Sequence, residues 1–239
     1  MGKNKFKRFQ ENLTFANLVQ PEFDEIFDRD YKLKGRWRED FFGNNNPIIL
    51  ELGCGRGEYT VSLARMFPEM NFIGIDIKGA RMWRGAKTAT ENEMKNIGFL
   101  RTRIEFINSF FGPGEVDQVW ITFPDPQLKK SRVKKRLTAP WFLSNYAKFL
   151  KPEAKLHLKT DCRHLHEYTK AVIAENGLPL EFACDDIYGT GVADEVLSIK
   201  TTYETNFLSQ GLPITYLRFT LGGHSSFSAP DFEPDQQLG

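Results

Sequence analysis

Apolar runs and amphipathic stretches alternate along the middle of this chain. Ile48–Leu52 is a short apolar run, closed by the glycine turn Gly53-Cys54-Gly55-Arg56-Gly57. Val61, Leu63, Ala64 and Phe67 then recur at helical spacing, which predicts a helix over Glu58–Met66. Pro68 ends it, because proline disfavours a helical residue before it. An apolar run over 71–75 predicts a second strand, followed by Asp76. The pattern continues with a helix over 78–95, a strand over 99–104, a turn at Gly112-Pro113-Gly114 and a strand over 116–123. That strand stops at Pro124-Asp125-Pro126. A helix over 140–149 leads to a strand over 155–160, which ends at Asp161. A helix over 164–176, a strand over 180–183 and an alternating strand over 214–220 complete the series. Strands that alternate with helices predict an α/β fold. The expected form is Rossmann-like: a mostly parallel sheet, helices on both faces and an antiparallel last strand.

The flanks read differently. Residues 1–46 form a basic N-terminal arm and lead-in, with 1–20 expected to be mobile until a partner orders them. Residues 47–221 form one domain. Residues 222–239 are rich in Gly, Ser and Pro and are expected to be a disordered tail.

The first strand, glycine turn, helix, second strand and terminal acid are the parts of a site for a nucleoside-bearing cofactor. Gly53 and Gly55 let backbone approach a ligand closely. Asp76, at the tip of the second strand, can accept two hydrogen bonds from a ribose diol. A dinucleotide fingerprint would place a third glycine where Glu58 stands. Glu51, at the end of the first strand, would repel a pyrophosphate. It suits a cationic ligand with amino donors. S-adenosylmethionine (SAM), a sulfonium with an amino-acid tail, fits these features.

Charge sharpens the picture. Lys and Arg number 32 against 31 Asp and Glu, a formal net charge of +1. No global field recruits an acidic partner, so local clusters matter more. Lys3, Lys5, Lys7 and Arg8 make one basic cluster. Lys129, Lys130, Arg132, Lys134, Lys135 and Arg136 make a second, while Asp231, Glu233 and Asp235 gather acids in the tail. Cys54, Cys162 and Cys184 show neither a disulfide framework nor zinc spacing, which fits a reducing cytoplasm and no metal. No apolar run reaches membrane-spanning length and the basic start lacks a secretory core, so no membrane partner is expected.

In a parallel α/β sheet the functional loops lie at the carboxyl ends of the strands. Those ends read Glu51, Asp76, Arg103, Asp125 and Asp161, four carboxylates out of five. One such acid could be a solvated cap, but four on one rim point to a site. Pro124 and Pro126 stiffen the backbone on both sides of Asp125. His157, His164 and His166 lack partners at metal-ligand spacing and read as structural. Cys162 reads as a packing residue, and Trp83, Trp120 and Trp141 as mostly core.

The combined motifs carry a resemblance. E-L-G-C-G-R-G, G-I-D, F-P-D-P with a basic run ending K-K-R-L-T, H-L-K-T-D and T-T-Y-E-x-x-F-x-x-x-G-x-P-I resemble the bacterial tRNA (guanine-N7-)-methyltransferase family, over residues 36–220. The spacing between motifs matches as well. The resemblance implies a SAM-dependent methyltransferase fold and tRNA as partner. It implies cofactor contacts at Glu51, Asp76 and Asp125, and substrate contacts at Lys129, Asp161, Thr201, Thr202, Tyr203 and Glu204. It implies RNA contacts along 131–136. The family pattern is broken at Gln127, where an aromatic residue is usual, and at Arg103, where an acid is usual. With Arg103 in that place, backbone groups of Arg103 and Ile104 are expected to hold the adenine.

Guanine N7 carries an in-plane lone pair and needs no deprotonation before attack. The chemistry then asks for binding, orientation and desolvation. Asp125 and Asp161 can accept from guanine N1 and N2 donors and stabilise positive charge as N7 is alkylated. Lys129 can donate to O6, an acceptor. The variable loop is the target the resemblance implies. Two alternatives stay open. One is a SAM-dependent N-methyltransferase acting on another RNA, a protein or a small molecule. The other is a non-catalytic SAM-binding, RNA-binding protein.

Overall fold

The computed structural model describes residues 3–232, with side chains from Lys5 onward. The acids Glu233 and Asp235, and the Lys3 side chain, lie outside the described residues. The chain packs as two compact units, Met1–Val116 and Asp117–Gly239. The break follows the predicted Gly112-Pro113-Gly114 turn. No longer linker marks it, because the chain passes straight from that turn into a strand.

The first unit opens with helix α1 (Lys3–Asn12) and a two-residue strand β1 (Leu18–Val19). It continues with β2 (Ile48–Leu52), α2 (Glu58–Met66), β3 (Asn71–Asp76), α3 (Gly79–Glu91) and β4 (Ile97–Arg101). Its strands run in the order β1-β4-β3-β2, all parallel. Every residue of β2 is buried, as is usual for parallel strands covered on both faces. Glu51 lies in that run, opposite Gly74 in register.

The second unit holds β5 (Val116–Thr122) apart from its first residue, then α4 (Pro140–Tyr146), β6 (Leu150–Thr160) and α5 (Arg163–Glu175). Then come β7 (Leu180–Cys184), α6 (Thr202–Ser209) and β8 (Thr215–Thr220). Its order is β5-β6-β8-β7, with β8 antiparallel to both neighbours. The fold class is therefore the expected one: a mostly parallel sheet, antiparallel at its last strand, with helices around it.

Three expectations are corrected. The arm is not loose. Lys3–Asn12 is a helix docked on α3, where Glu11 accepts from Trp83 Nε1 at 2.7 Å and Lys87 Nζ at 2.6 Å. Asn12 Nδ2 donates to the Gly79 carbonyl at 2.9 Å, and the Arg8 guanidinium lies 4.8 Å from the Trp83 ring. A count of charges hid this amphipathic docking. The lead-in holds a π-helix, Trp37–Phe42, anchored by fully buried Trp37. Buried Glu115 accepts from the backbone amides of Gly35, Trp37 and Gly112. The tail is not loose as far as Phe232. Asn176 and Ser228 exchange two hydrogen bonds, and Phe232 sets its ring edge-on to His164 and Tyr168. Two aromatic or polar anchors suffice to lay a Gly/Ser/Pro-rich segment along α5. Trp141 is half exposed in the first turn of α4 rather than core, whereas Trp120 is buried and stacks on His157 at 3.9 Å.

Candidate active site

In the first unit, backbone makes the site. Gly53, Gly55 and Gly57 all have left-handed φ, at 76°, 55° and 71°. They do different jobs. A Cβ on Gly53 would meet nothing within 4 Å, and one on Gly55 would only touch the Gly53 carbonyl at 4.0 Å. Open space therefore lies over the first two glycines. A Cβ on Gly57 would strike Phe99 at 2.5 Å, so this glycine serves packing of the turn onto β4.

Asp76 pins the turn. One carboxylate oxygen accepts from Gly55 N at 3.0 Å and the other from Lys78 N at 2.7 Å. Each oxygen keeps a lone pair for a further donor. Glu51 is buried and accepts from both the amide (2.9 Å) and the hydroxyl of Thr60, in the first turns of α2. An anion there is favoured by the positive end of the helix. Burial, and the charges of Glu51 and Asp76, push the Cys54 thiol well up, so Cys54 is inert packing.

Beyond Asp76 a cleft of about 380 Å³ opens at the ends of β3 and β4. Ile77, Thr102, Arg103 and Phe106 line it, joined by Phe9 of α1 and by Phe23. Its size is in the range of small-molecule sites. The Arg103 side chain pairs with Glu105 at 3.0 Å and lies over the Phe106 ring, while Ile104 begins a 3-10 turn. Ile77, Phe9 and Phe106 were missed by sequence reasoning. The available signal was an apolar residue, half exposed in the structure, directly after the strand-end acid.

The second unit presents Asp125 on a strained loop. Phe123 and Gln127 are non-glycine residues with φ of 47° and 48°, on either side of Pro124-Asp125-Pro126. Such conformations persist where surrounding structure enforces them, and they cluster at functional sites. Asp125 is exposed and accepts from Gln127 N at 3.0 Å. Asp161 follows β6, half-buried, and desolvation raises its carboxyl above the usual aspartate value.

The basic segment corrects one expected RNA contact. Residues 130–135 form a 3-10 turn. Residues three apart eclipse in such a turn, so Val133 and Arg136 face inward while Arg132, Lys134 and Lys135 face out. Lys129 and Lys130 are exposed too. Arg136 is only 2% exposed. It donates to the carbonyls of Pro126 (3.1 Å) and Gln127 (3.3 Å) and to His164 Nε2 (2.7 Å). Its guanidinium is not available to a phosphate.

Glu204 is corrected in the same way. It is fully buried, with Lys159 Nζ at 2.8 Å and the Tyr188 hydroxyl donating at 2.7 Å. Lys159 also donates to the carbonyls of Leu197 and Ile199. Burial lowers the Lys159 ammonium below the usual lysine value, against the pull of Glu204. Burial and the Glu204 carboxylate push the Tyr188 phenol up. Thr201 caps α6, its hydroxyl accepting from Glu204 N at 3.1 Å. Of this group Thr202 and Tyr203 are exposed. Glu204 thus anchors α6 and the 186–199 segment rather than facing a base. Its partner Lys159 carried no distinguishing signal in the sequence, since β6 also holds Lys151, Glu153 and Lys155.

The histidines serve structure. His157 stacks on Trp120 and bonds the Tyr216 hydroxyl at 2.7 Å, and desolvation drives its pKa to about 3. His166, Glu167 and Asp185 bring ligand-type atoms within 4.8 Å of one another. Both acids already have cations, Lys170 on Glu167 at 3.2 Å and Arg163 on Asp185 at 3.8 Å. Among the described residues no helix is long and apolar enough to cross a membrane.

Residues 45–217 match the family model described as "Putative methyltransferase". A tRNA (guanine-N(7)-)-methyltransferase of Bacteroides thetaiotaomicron is 48% identical, over 98% of this chain and 92% of that one. The chain belongs to this family. The Porphyromonas gingivalis protein of the same name is 52% identical over 92% and 91% of the two chains. That of Listeria innocua is 36% identical over 81% and 89%. Among solved structures, the 16S rRNA methyltransferase KamB superposes with a TM-score of 0.60 at 18% identity, covering 76% of this chain and 91% of that one. A 16S rRNA (adenine(1408)-N(1))-methyltransferase of Catenulisporales acidiphilia, solved with SAM, gives 0.51 at 16%, covering 82% and 92%. These two share the fold.

Proposed function

We infer that this protein transfers the methyl group of SAM to N7 of a guanosine in tRNA. The observation that carries it is near-half identity, along almost the whole chain, to tRNA (guanine-N(7)-)-methyltransferases. We further propose the variable loop as target and the cytoplasm as location, with no metal needed.

SAM supplies an electrophilic methyl on a sulfonium. The open space over Gly53 and Gly55 suits a ligand in close backbone contact, and Asp76 has lone pairs left for a ribose diol. Glu51, buried and negative, favours the cationic tail. The aromatic cleft beside Ile77 suits the flat adenine, with backbone of Arg103 and Ile104 at its edge. Asp125 and Asp161 accept from the guanine N1 and N2 donors, and Lys129 donates to O6. No residue has to remove a proton from N7. The carboxylates hold the base in plane and stabilise the positive charge that grows on the ring, which electrostatic preorganisation achieves without a base. Burial makes Asp161 a stronger acceptor once ionised. Thr202 and Tyr203 face outward beside Thr201 and serve substrate contact. Lys130, Arg132, Lys134 and Lys135 meet tRNA phosphates.

Incubation with total tRNA and labelled SAM, followed by nucleoside digestion, tests this reading. N7-methylguanosine is the expected product, and chain scission at the modified base should map to the variable loop. Another modified nucleoside, or no incorporation, would overturn it.

A further inference from the structure

Arg136 sits within a basic run yet faces away from solvent. Its side chain makes three described hydrogen bonds. Two of them end on the carbonyls of Pro126 and Gln127, the two residues that follow Asp125. The guanidinium carries five donors in a rigid fork, so it can hold both carbonyls and His164 at once. Below it the Tyr168 ring lies 4.3 Å from the guanidinium carbon. Phe232 then closes on His164 and Tyr168, with ring centroids 5.4 and 5.6 Å away.

The loop that this fork holds would not keep its shape unaided. Gln127 is left-handed without being glycine, and its amide is the donor that orients Asp125. A left-handed glutamine relaxes unless its surroundings over-determine it. Arg136 supplies that constraint on both sides of Gln127, at the Pro126 carbonyl, which shares a peptide with the Gln127 amide, and at the Gln127 carbonyl.

We propose that Arg136 is a positioning residue for Asp125. It fixes the backbone that follows the carboxylate and so sets where the carboxylate points. The assignment rests on the role given above to Asp125 in methyl transfer. It also explains why the basic run extends to Arg136. Its exposed members face the RNA, while the last member ties that same turn to the Asp125 loop.

Four variants test it: Arg136→Lys, Arg136→Met, Asp125→Asn and the double Arg136→Met/Asp125→Asn. Turnover with tRNA, tRNA affinity across a salt series and melting temperature are measured for each. Misplacing a reacting group by about 1 Å can cost on the order of 100-fold. Arg136→Met should therefore lower kcat by about 10- to 100-fold, with tRNA affinity and its salt slope unchanged. Arg136→Lys keeps the charge but loses the fork, so it should recover part of kcat. It also serves if the methionine variant does not fold. The double variant should be no slower than Asp125→Asn alone, because residues acting through one another are not additive. Independent, multiplying losses would overturn the positioning role while leaving Asp125 in place. Parental activity in Asp125→Asn would remove the role of Asp125 and this proposal with it. A fall in tRNA affinity with kcat preserved would return Arg136 to the RNA-binding set.

Discussion

The glycine turn of the first unit and the Asp125 loop of the second are both tight, yet different chemistry holds them. In the turn, positive φ falls on glycines, and a strand-end acid bonds the local backbone. In the loop, positive φ falls on Phe123 and Gln127, and the restraint is a side chain from Arg136, with His164 behind it. The first solution costs little strain because glycine tolerates the conformation. The second stores strain and depends on distant packing. A site of the first kind should survive changes elsewhere in the fold. A site of the second kind should fail when its support is altered.

The largest effect should come from support rather than contact. Lys159 and Glu204 form an ion pair with both side chains fully buried. Glu204→Ala leaves a buried ammonium without its partner, which typically costs about 3–5 kcal/mol. Chemical denaturation should show that loss. A stability within about 0.5 kcal/mol of the parent, the usual range for surface changes, would mean that Glu204 is not a fold anchor.

Next comes Asp161. Its folded-state pKa is raised, so the folded chain holds a proton that the unfolded chain has already released. Between the ordinary aspartate value and the raised one, stability falls as pH rises, and the ionised carboxylate is a burden at neutral pH. Asp161→Asn should therefore cut methyl transfer by at least about tenfold, a reduction expected for a lost charged contact, with melting temperature held or raised. Activity of the parent should decline on the acid side at a higher pH than an ordinary aspartate would give. Loss of activity and melting temperature together would make Asp161 structural.

Asp76 tests the robust turn. Asp76→Ala should weaken SAM binding by about 1.5–3 kcal/mol, the worth of hydrogen bonds to a charged group. Calorimetry can measure this, and wild-type affinity would place the cofactor elsewhere. Folding should suffer less than in Glu204→Ala, because the glycines keep their own conformation.

The smallest effect belongs to the exposed basic turn. Lys134→Ala with Lys135→Ala should reduce the slope of log tRNA affinity against log salt by about 1–2, since each phosphate contact releases counterions. SAM affinity should not move. An unchanged slope would leave these lysines as solvated charge. Arg136 is excluded from this set by its burial.

Periodicity located strands β2 to β5 and helices α2 to α5, because buried parallel strands and amphipathic helices write their burial into consecutive residues, but it missed α6 and the first half of β6. The glycine turn with Asp76 was legible for the same reason, since all its parts lie close together in the chain. Asp125 was legible because its prolines adjoin it. The docked helix α1, the tail up to Phe232 and the exposure of Trp141 were not legible. Each depends on partners far away in sequence, such as Glu11 with Trp83 or Phe232 with Tyr168.

The sequence by itself determined the order of the core strands, the strand-end acids and the family. Those properties reside in local pattern and in the spacing between motifs. Tertiary structure alone decided which members of a motif face outward. Arg136 and Glu204 sit among residues matched to RNA and substrate contact, yet both are buried and hold other parts in place. A charge in a sequence states only that the residue needs partners. Whether those partners are carbonyls, a lysine or a phosphate depends on what the fold brings within bonding distance.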